Sequence, residues 1–542
     1  MDKKLSRFFS KAILCVGIIF LAILTIITFV FTTYISDYSR STMPIKFAPY
    51  IIIGLISFFV ILMIKPLMKR LEKINVKKLA YIVFFVSLIA SILWVFIAGV
   101  FPMWDSLDVI NAAGIVSEHP SAIALEKWST GAGSYMERFP FQTPVVLLVL
   151  FCMYLAGKNF LIFFQLLNCL SCAASLYFIV KLTDALFKNK KATLISALLC
   201  LLFFPMVLYC TFIYGNTICM PFAIAAWYLQ KLAIDNVENR RKFIKYLLLS
   251  ILCAVISAFF KSTMIIVALA LAVVWAVWGL QQKKKLVPLL AAILVVVLSK
   301  VCIVPLNAII SAKYNVNLQN GVPTIAWITM GLGGSKEYYA DISGDDSIRN
   351  DTESAGYFDA FIWIHPDAEY SPENISKTSK EYLKKRVDHY LADPGLAAEY
   401  LGKKAIIEWT EPTFESFLAS NWCTGAGEEG YPMCARDYTA LGRSFYYGKA
   451  NAILIFIMDT MQTVLACGAL VCLVALRKKI KIQQLSPLVC ILGGALLYLL
   501  WENKTQYIMS FYLFMIPYAG VGVAYLTTQI STRLEKRLWK RR

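Results

Sequence analysis

Charged and amide side chains stand at the mouths of apolar runs, where lipid meets water. Asp105 closes one such run in Phe101-Pro102-Met103-Trp104-Asp105, and a carboxylate there can take a proton from a hydroxyl. Asp105-Ser106-Leu107-Asp108-Val109 also suits a helix start, and on position alone a solvated cap is the better reading. Lys261, in Phe259-Phe260-Lys261-Ser262-Thr263-Met264, sits between two apolar runs with almost no loop. It suits a phosphate ligand at the membrane surface, or a lone cation reaching up to water. Trp501-Glu502-Asn503-Lys504-Thr505-Gln506-Tyr507 holds more polar groups than a turn needs, and Tyr214-Gly215-Asn216 is a third tight turn. Tyr135-Met136-Glu137-Arg138-Phe139-Pro140-Phe141-Gln142-Thr143-Pro144 adds another acid, cation and amide. Its aromatics also read as interface anchors, and Glu137-Arg138 as a surface pair. Asp459 falls within an apolar run, where an acid is a functional candidate or a helix–helix hydrogen bond. Together these groups suit a site that handles an anionic lipid head and a polar partner.

The elements that position them are membrane helices. Of 542 residues 59% are hydrophobic and 16% charged, against about 25% charged in soluble chains. The apolar runs are continuous and about 20 residues long, enough to cross a hydrocarbon core of about 30 Å as helices. The expected spans are 12–34, 48–66, 79–101, 160–183, 192–212, 217–234, 243–260, 263–280, 286–305, 451–475, 486–500 and 508–527. The first is read as an uncleaved span, because its run is too long for a signal peptide and no small-residue cleavage site follows. The net charge of +19 does not indicate nucleic acid. Residues 306–450 hold 13 Lys/Arg and 20 Asp/Glu, and the rest of the chain holds 40 and 14. The basic excess lies in short loops and at both termini, which places those in the cytoplasm. Basic clusters then all fall inside if the chain crosses 12 times. Residues 144–157 are too short for a span, and parity makes them an external helix lying on or dipping into the membrane.

The domain reading follows. Residues 1–78 form an N-terminal two-span extension, 79–305 a transmembrane core with a first external loop at 102–159, 306–450 a mostly helical extracytoplasmic domain, and 451–542 a C-terminal transmembrane segment with a basic tail. Of 14 Cys, 12 lie in or beside apolar runs and behave as small hydrophobes. Cys423 and Cys434 are candidates for a disulfide, with two free thiols as the alternative.

The order of these pieces resembles the polytopic GT-C glycosyltransferases, and within them bacterial enzymes related to the family 39-like protein mannosyltransferases and aminoarabinose transferases. The residues that carry the resemblance are Asp105 with Val109 and Ala112-Ala113, the stretch from Tyr135 to Gln142, Pro205 followed by Tyr214-Gly215-Asn216, and Lys261-Ser262-Thr263. Further along are Trp327-Ile328-Thr329-Met330-Gly331-Leu332, Gly356-Tyr357-Phe358 and Trp501-Glu502 through Tyr507. It covers most of the chain from about residue 80. Phe139-Pro140-Phe141-Gln142 departs from it by lacking an expected Asn, and residues 12–66 precede the shared core. The resemblance implies inverting transfer of a sugar from a polyprenyl-phosphate donor to an extracytoplasmic wall polymer, glycolipid or protein. Asp105 would be the general base, Lys261, Arg138 and Lys504 would hold the donor phosphate, and Glu137, Glu502, Tyr507, Tyr214, Asn216 and Gln142 the sugar or acceptor. Some proteins of this fold use a divalent metal and others do not. The rival readings are a transporter or flippase of lipid-linked sugars and a non-catalytic scaffold for cell-envelope assembly. An enzyme requires Asp105, Lys261 and Glu502 to converge on one cleft.

Overall fold

The computed structural model describes residues 2–34, 44–64, 70–99, 102, 105–118, 135–282, 286–314, 318, 321–357, 359, 361–363, 371–420 and 439–539. The chain is an all-α polytopic membrane protein. Among the described residues nine helical segments are long and apolar enough to cross a membrane, and ten if the bent pair Lys190–Leu202 and Phe204–Thr211 counts as one. Ile51–Leu62 and Ser486–Leu500 are shorter apolar helices. The described part of each expected run is mainly helical, except that Phe31–Thr33 at the end of the first forms a strand paired antiparallel with Ile45–Phe47. The 47° bend in the pair falls beside Pro205, whose ring cannot continue the preceding helix. The apolar helical stretch from Leu286 continues to Lys313, beyond its expected end. Cys423 and Cys434 lie outside the described residues.

Three helices begin the same way. Asn75, Asn189 and Asn239 accept hydrogen bonds from the backbone N–H of Lys78, Ala192 and Lys242 at 2.8, 3.1 and 3.1 Å. An Asn cap satisfies a free N–H of the first turn. The lysines and arginines that follow oppose the helix dipole, which favours anions at that end. The Asn caps therefore supply the helix start.

Met509–Arg533 is the central span, with 89% of its apolar window buried, whereas Lys4–Val30 is at 28% and faces mainly outward. Central packing relies on small residues. A Cβ on Gly522 would sit 1.8 Å from the Gly468 carbonyl oxygen, and one on Gly520 1.9 Å from Ser196 Oγ. Close backbone approach of this kind is how helices associate where lipid and protein are equally apolar. Asp459, inside Lys449–Leu476, accepts a hydrogen bond from the Tyr50 hydroxyl, and Tyr50 bonds Tyr34 at 2.8 Å. That acid ties Tyr50 and Tyr34, near the N-terminal helices, to the bundle.

Thr143–Ala156 and Phe160–Phe187 form one apolar stretch of 48 residues from Pro140, broken at Gly157 (φ 53°). A straight helix of that length would measure about 70 Å, more than twice the hydrocarbon core. Phe160–Phe187 is long enough alone, which leaves Thr143–Ala156 outside a single crossing. That helix packs on Asp105–Glu118, where Val109, Ala112 and Ala113 are buried with Val145, Val146 and Val149.

The described residues between 321 and 420 form a helical layer over one end of the bundle. Its internal anchor is Arg386, fully buried. Arg386 donates to Glu337 at 3.1 Å, to the Arg349 carbonyl at 2.6 Å and to the Leu332 carbonyl at 3.1 Å. Its guanidinium lies 4.4 Å from the Tyr390 ring centre and 5.2 Å from that of Tyr400. A charge so enclosed persists only because its partners are in place.

Candidate active site

Four turns far apart in sequence meet under this layer. Gly215 makes the first approach possible. A Cβ there would lie 2.0 Å from the Phe260 carbonyl oxygen, so only glycine lets the Tyr214–Asn216 turn close on the end of Arg240–Phe260. Lys261, the residue capping that helix, then donates to Asn216 Oδ1. Its ammonium lies 5.5 Å from the ring centres of both Tyr214 and Tyr507, a cation held between two aromatic faces. Gln142 donates to the Tyr214 hydroxyl, and Tyr214 also bonds the buried Tyr135. Tyr507 donates to Glu502 Oε2 at 2.9 Å, and Lys504 pairs with Glu502 Oε1 at 3.4 Å.

Asp105 opens its helix at this point. Its charge acts on Tyr135, Tyr214, Lys261, Glu502 and Tyr507. Asp105, Lys261 and Glu502 therefore share one neighbourhood, together with Gln142, Tyr214, Asn216, Lys504 and Tyr507. Glu137 and Arg138 are half-buried on the same short turn as Tyr135. The Arg138 carbonyl accepts Val322 N–H at 2.9 Å, which joins that turn to the layer.

Burial dominates the electrostatics. It pulls the Lys261 ammonium down to about 8, aided by Lys504 and opposed by Cys219 and Asp105. Burial raises the Glu502 carboxyl, opposed by Lys504 and Tyr507 and aided by Asp105. Both charged groups are thus held at a desolvation cost that an ionic ligand of the right sign would reduce.

The Trp501–Tyr507 turn is held in alternation. Trp501 stacks on Trp327, with centroids 6.0 Å apart and planes 8° apart. The buried Lys404 donates to the carbonyls of Trp501 and Gly331. Asn503 donates to the Ala355 carbonyl at 3.1 Å and pairs with Tyr357 through the backbone. Thr505 N–H donates to Glu415 at 3.0 Å. Residues 501, 503 and 505 thus bind the layer, while the intervening Glu502 and Lys504 pair with each other and Lys504 acts on Lys261. This is the period of an extended segment, whose successive side chains point to opposite faces.

Some members of this environment carry no sequence signal. Lys404, Glu411 and Glu415 lie in segments that read as charged helix or loop, yet all three are buried. Asp359 is buried too, accepting from Ser335 Oγ and from Phe361 N–H at 2.9 Å. Burial pushes its carboxyl to about 7, and the Glu502 charge adds to this. Among the described residues no three His, Cys, Asp or Glu side chains gather to hold a metal ion.

No family model matches the chain, and no curated protein does. The solved structures it resembles include the oligosaccharyltransferase AglB from Archaeoglobus fulgidus in complex with an inhibitory peptide and a dolichol-phosphate. That match has 11% identity and a TM-score of 0.41, over 85% of this chain and 52% of that one. Another is ArnT from Cupriavidus metallidurans bound to undecaprenyl phosphate, with 14% identity and a TM-score of 0.32 over 88% and 78%. This chain thus spans about half the length of the archaeal protein.

Proposed function

We propose that this chain is a GT-C-type membrane glycosyltransferase that moves a sugar from a polyprenyl-phosphate donor to an acceptor outside the cytoplasm, with inversion at the anomeric carbon. The observation that carries this reading is the meeting of Asp105, Lys261 and Glu502 at one end of the bundle. An acid, a desolvated cation and a buried carboxylate–lysine pair are what such a transfer needs in one place. Asp105 takes the proton from the acceptor hydroxyl as its oxygen bonds to the anomeric carbon. The bond from that carbon to the phosphate oxygen breaks, and its electron pair leaves on the polyprenyl phosphate. Lys261, with Lys504 and Arg138, stabilises that leaving phosphate. Gln142, Tyr214, Asn216, Tyr507, Glu137 and Glu502 offer hydrogen bonds to sugar and acceptor hydroxyls. The basic loops support cytoplasmic termini, with residues 306–450 on the opposite side of a cell membrane.

A transporter would hold its ligand near the midplane, between repeated halves. Assembly of the site from turns at one helix end supports an enzyme instead. The test is a donor screen. Purified protein in lipid is given a panel of polyprenyl-phosphate sugars, and free polyprenyl phosphate is measured. Release that depends on acceptor supports the reading, and donor crossing the bilayer without release would replace it with a flippase.

A further inference from the structure

The loop after Pro394–Thr410 has an unusual backbone. Phe414 and Glu415 both take positive φ, 52° and 61°. Two successive non-glycine residues in the left-handed region are strained, and strain of this kind persists where the surroundings enforce it. Here they do. The Tyr209 hydroxyl donates to the Phe414 carbonyl. Glu411 accepts from the N–H of Thr413 and of Glu415, both at 2.9 Å, and its own carbonyl accepts from Gln462 at 2.9 Å. The result aims one carboxylate oxygen of Glu415 at three donors: the Tyr357 hydroxyl at 2.6 Å, Thr505 N–H at 3.0 Å and Thr505 Oγ at 3.3 Å. The Thr505 hydroxyl is shared with Glu411 Oε2 at 3.0 Å, the oxygen that also accepts the Glu415 N–H.

We infer that Glu415, backed by Glu411, is a positioning residue: through Thr505 it fixes the turn that presents Glu502 and Lys504 to Lys261. Glu415 joins Tyr357 of the layer to the turn at one oxygen, so the layer and the site move together through it. Its consequence for rate rests on the glycosyl-transfer reading. Its consequence for the geometry does not.

The test uses the full chain and a double-mutant cycle. Glu415→Ala is expected to lower kcat roughly 10- to 100-fold, the cost of a small displacement of a positioned group, with donor KM changed less than about threefold. Glu415→Gln keeps the accepting oxygen and should restore kcat to within about threefold of wild type. Glu415→Ala/Tyr357→Phe should be no slower than Glu415→Ala alone, because the Tyr357 hydroxyl reaches the turn through its bond to Glu415. Without donor, the pH midpoint of Lys261 amine labelling, read by mass spectrometry, should rise in Glu415→Ala as Lys504 moves away. If Glu415→Ala does not fold, Glu415→Asp keeps the charge, withdraws the oxygen by one methylene and carries the same tests. An unchanged labelling midpoint, losses that multiply in the double variant, or a fall in kcat matching only the loss of folded protein would overturn the inference. A shifted midpoint in a protein that transfers no sugar would sustain the positioning role of Glu415 and remove the glycosyltransferase reading.

Discussion

Replacing Lys261 by methionine separates the cost of a buried charge from its use. The folded chain releases the Lys261 proton near pH 8, whereas an unfolded lysine holds it to about 10.4. At pH 7 the charge therefore costs the fold up to about 3 kcal/mol, at 1.36 kcal/mol per pH unit. Methionine removes that cost and fills similar space, but it strands Asn216 Oδ1, a loss of about 1–3 kcal/mol. The two terms are opposed and of like size, so the melting temperature in detergent should change by only a few degrees. The rate should not be spared. Loss of one preorganised partner to a developing anion costs about 10²–10³ in kcat. The assay is paired melting and turnover on the same preparation. Turnover within threefold of wild type at an unchanged melting temperature would refute the assignment of Lys261 to the departing phosphate.

The same group sets a pH signature. Lys261 is charged below about pH 8, so kcat/KM of wild type should bend downward above that value. Folding stability should rise with pH between about 8 and 10.4, because there the unfolded state holds the proton and the folded state does not; Lys261→Met should remove that rise. Gly215→Ala should cost about 1–3 kcal/mol or more, since its Cβ would lie 2.0 Å from the Phe260 carbonyl. Donor binding measured at a temperature where the variant is folded should weaken with it. Lys404→Met leaves the carbonyls of Gly331 and Trp501 without their shared donor. It should increase protease access to residues 321–420 while the bundle stays intact, as shown by gel filtration.

What was legible in the sequence follows the range of the forces involved. The bilayer demands continuous apolar length, so the runs and the turns between them could be read directly, and Lys261 stood out as a cation with no loop around it. The need for glycine at Gly215 was invisible, because it comes from the Phe260 carbonyl of another helix. Glu411, Glu415 and Lys404 carry no such signal, because a charged residue on a polar helix or loop normally faces water. Their burial depends on Thr505, Tyr357 and Trp501, which are remote in sequence, and no local pattern encodes those meetings. Asp105 read better as a helix cap by position, and it does open its helix; only the folded chain brings its charge to Lys261 and Glu502.

The most direct test of the account is Asp105→Asn under single-turnover conditions with a donor found in the screen. Asparagine matches the carboxylate in size and cannot take the proton, so donor affinity should be retained while the rate of sugar transfer falls about 10²- to 10⁴-fold. Transfer at the wild-type rate would contradict the general-base role and, with it, the catalytic reading of the site.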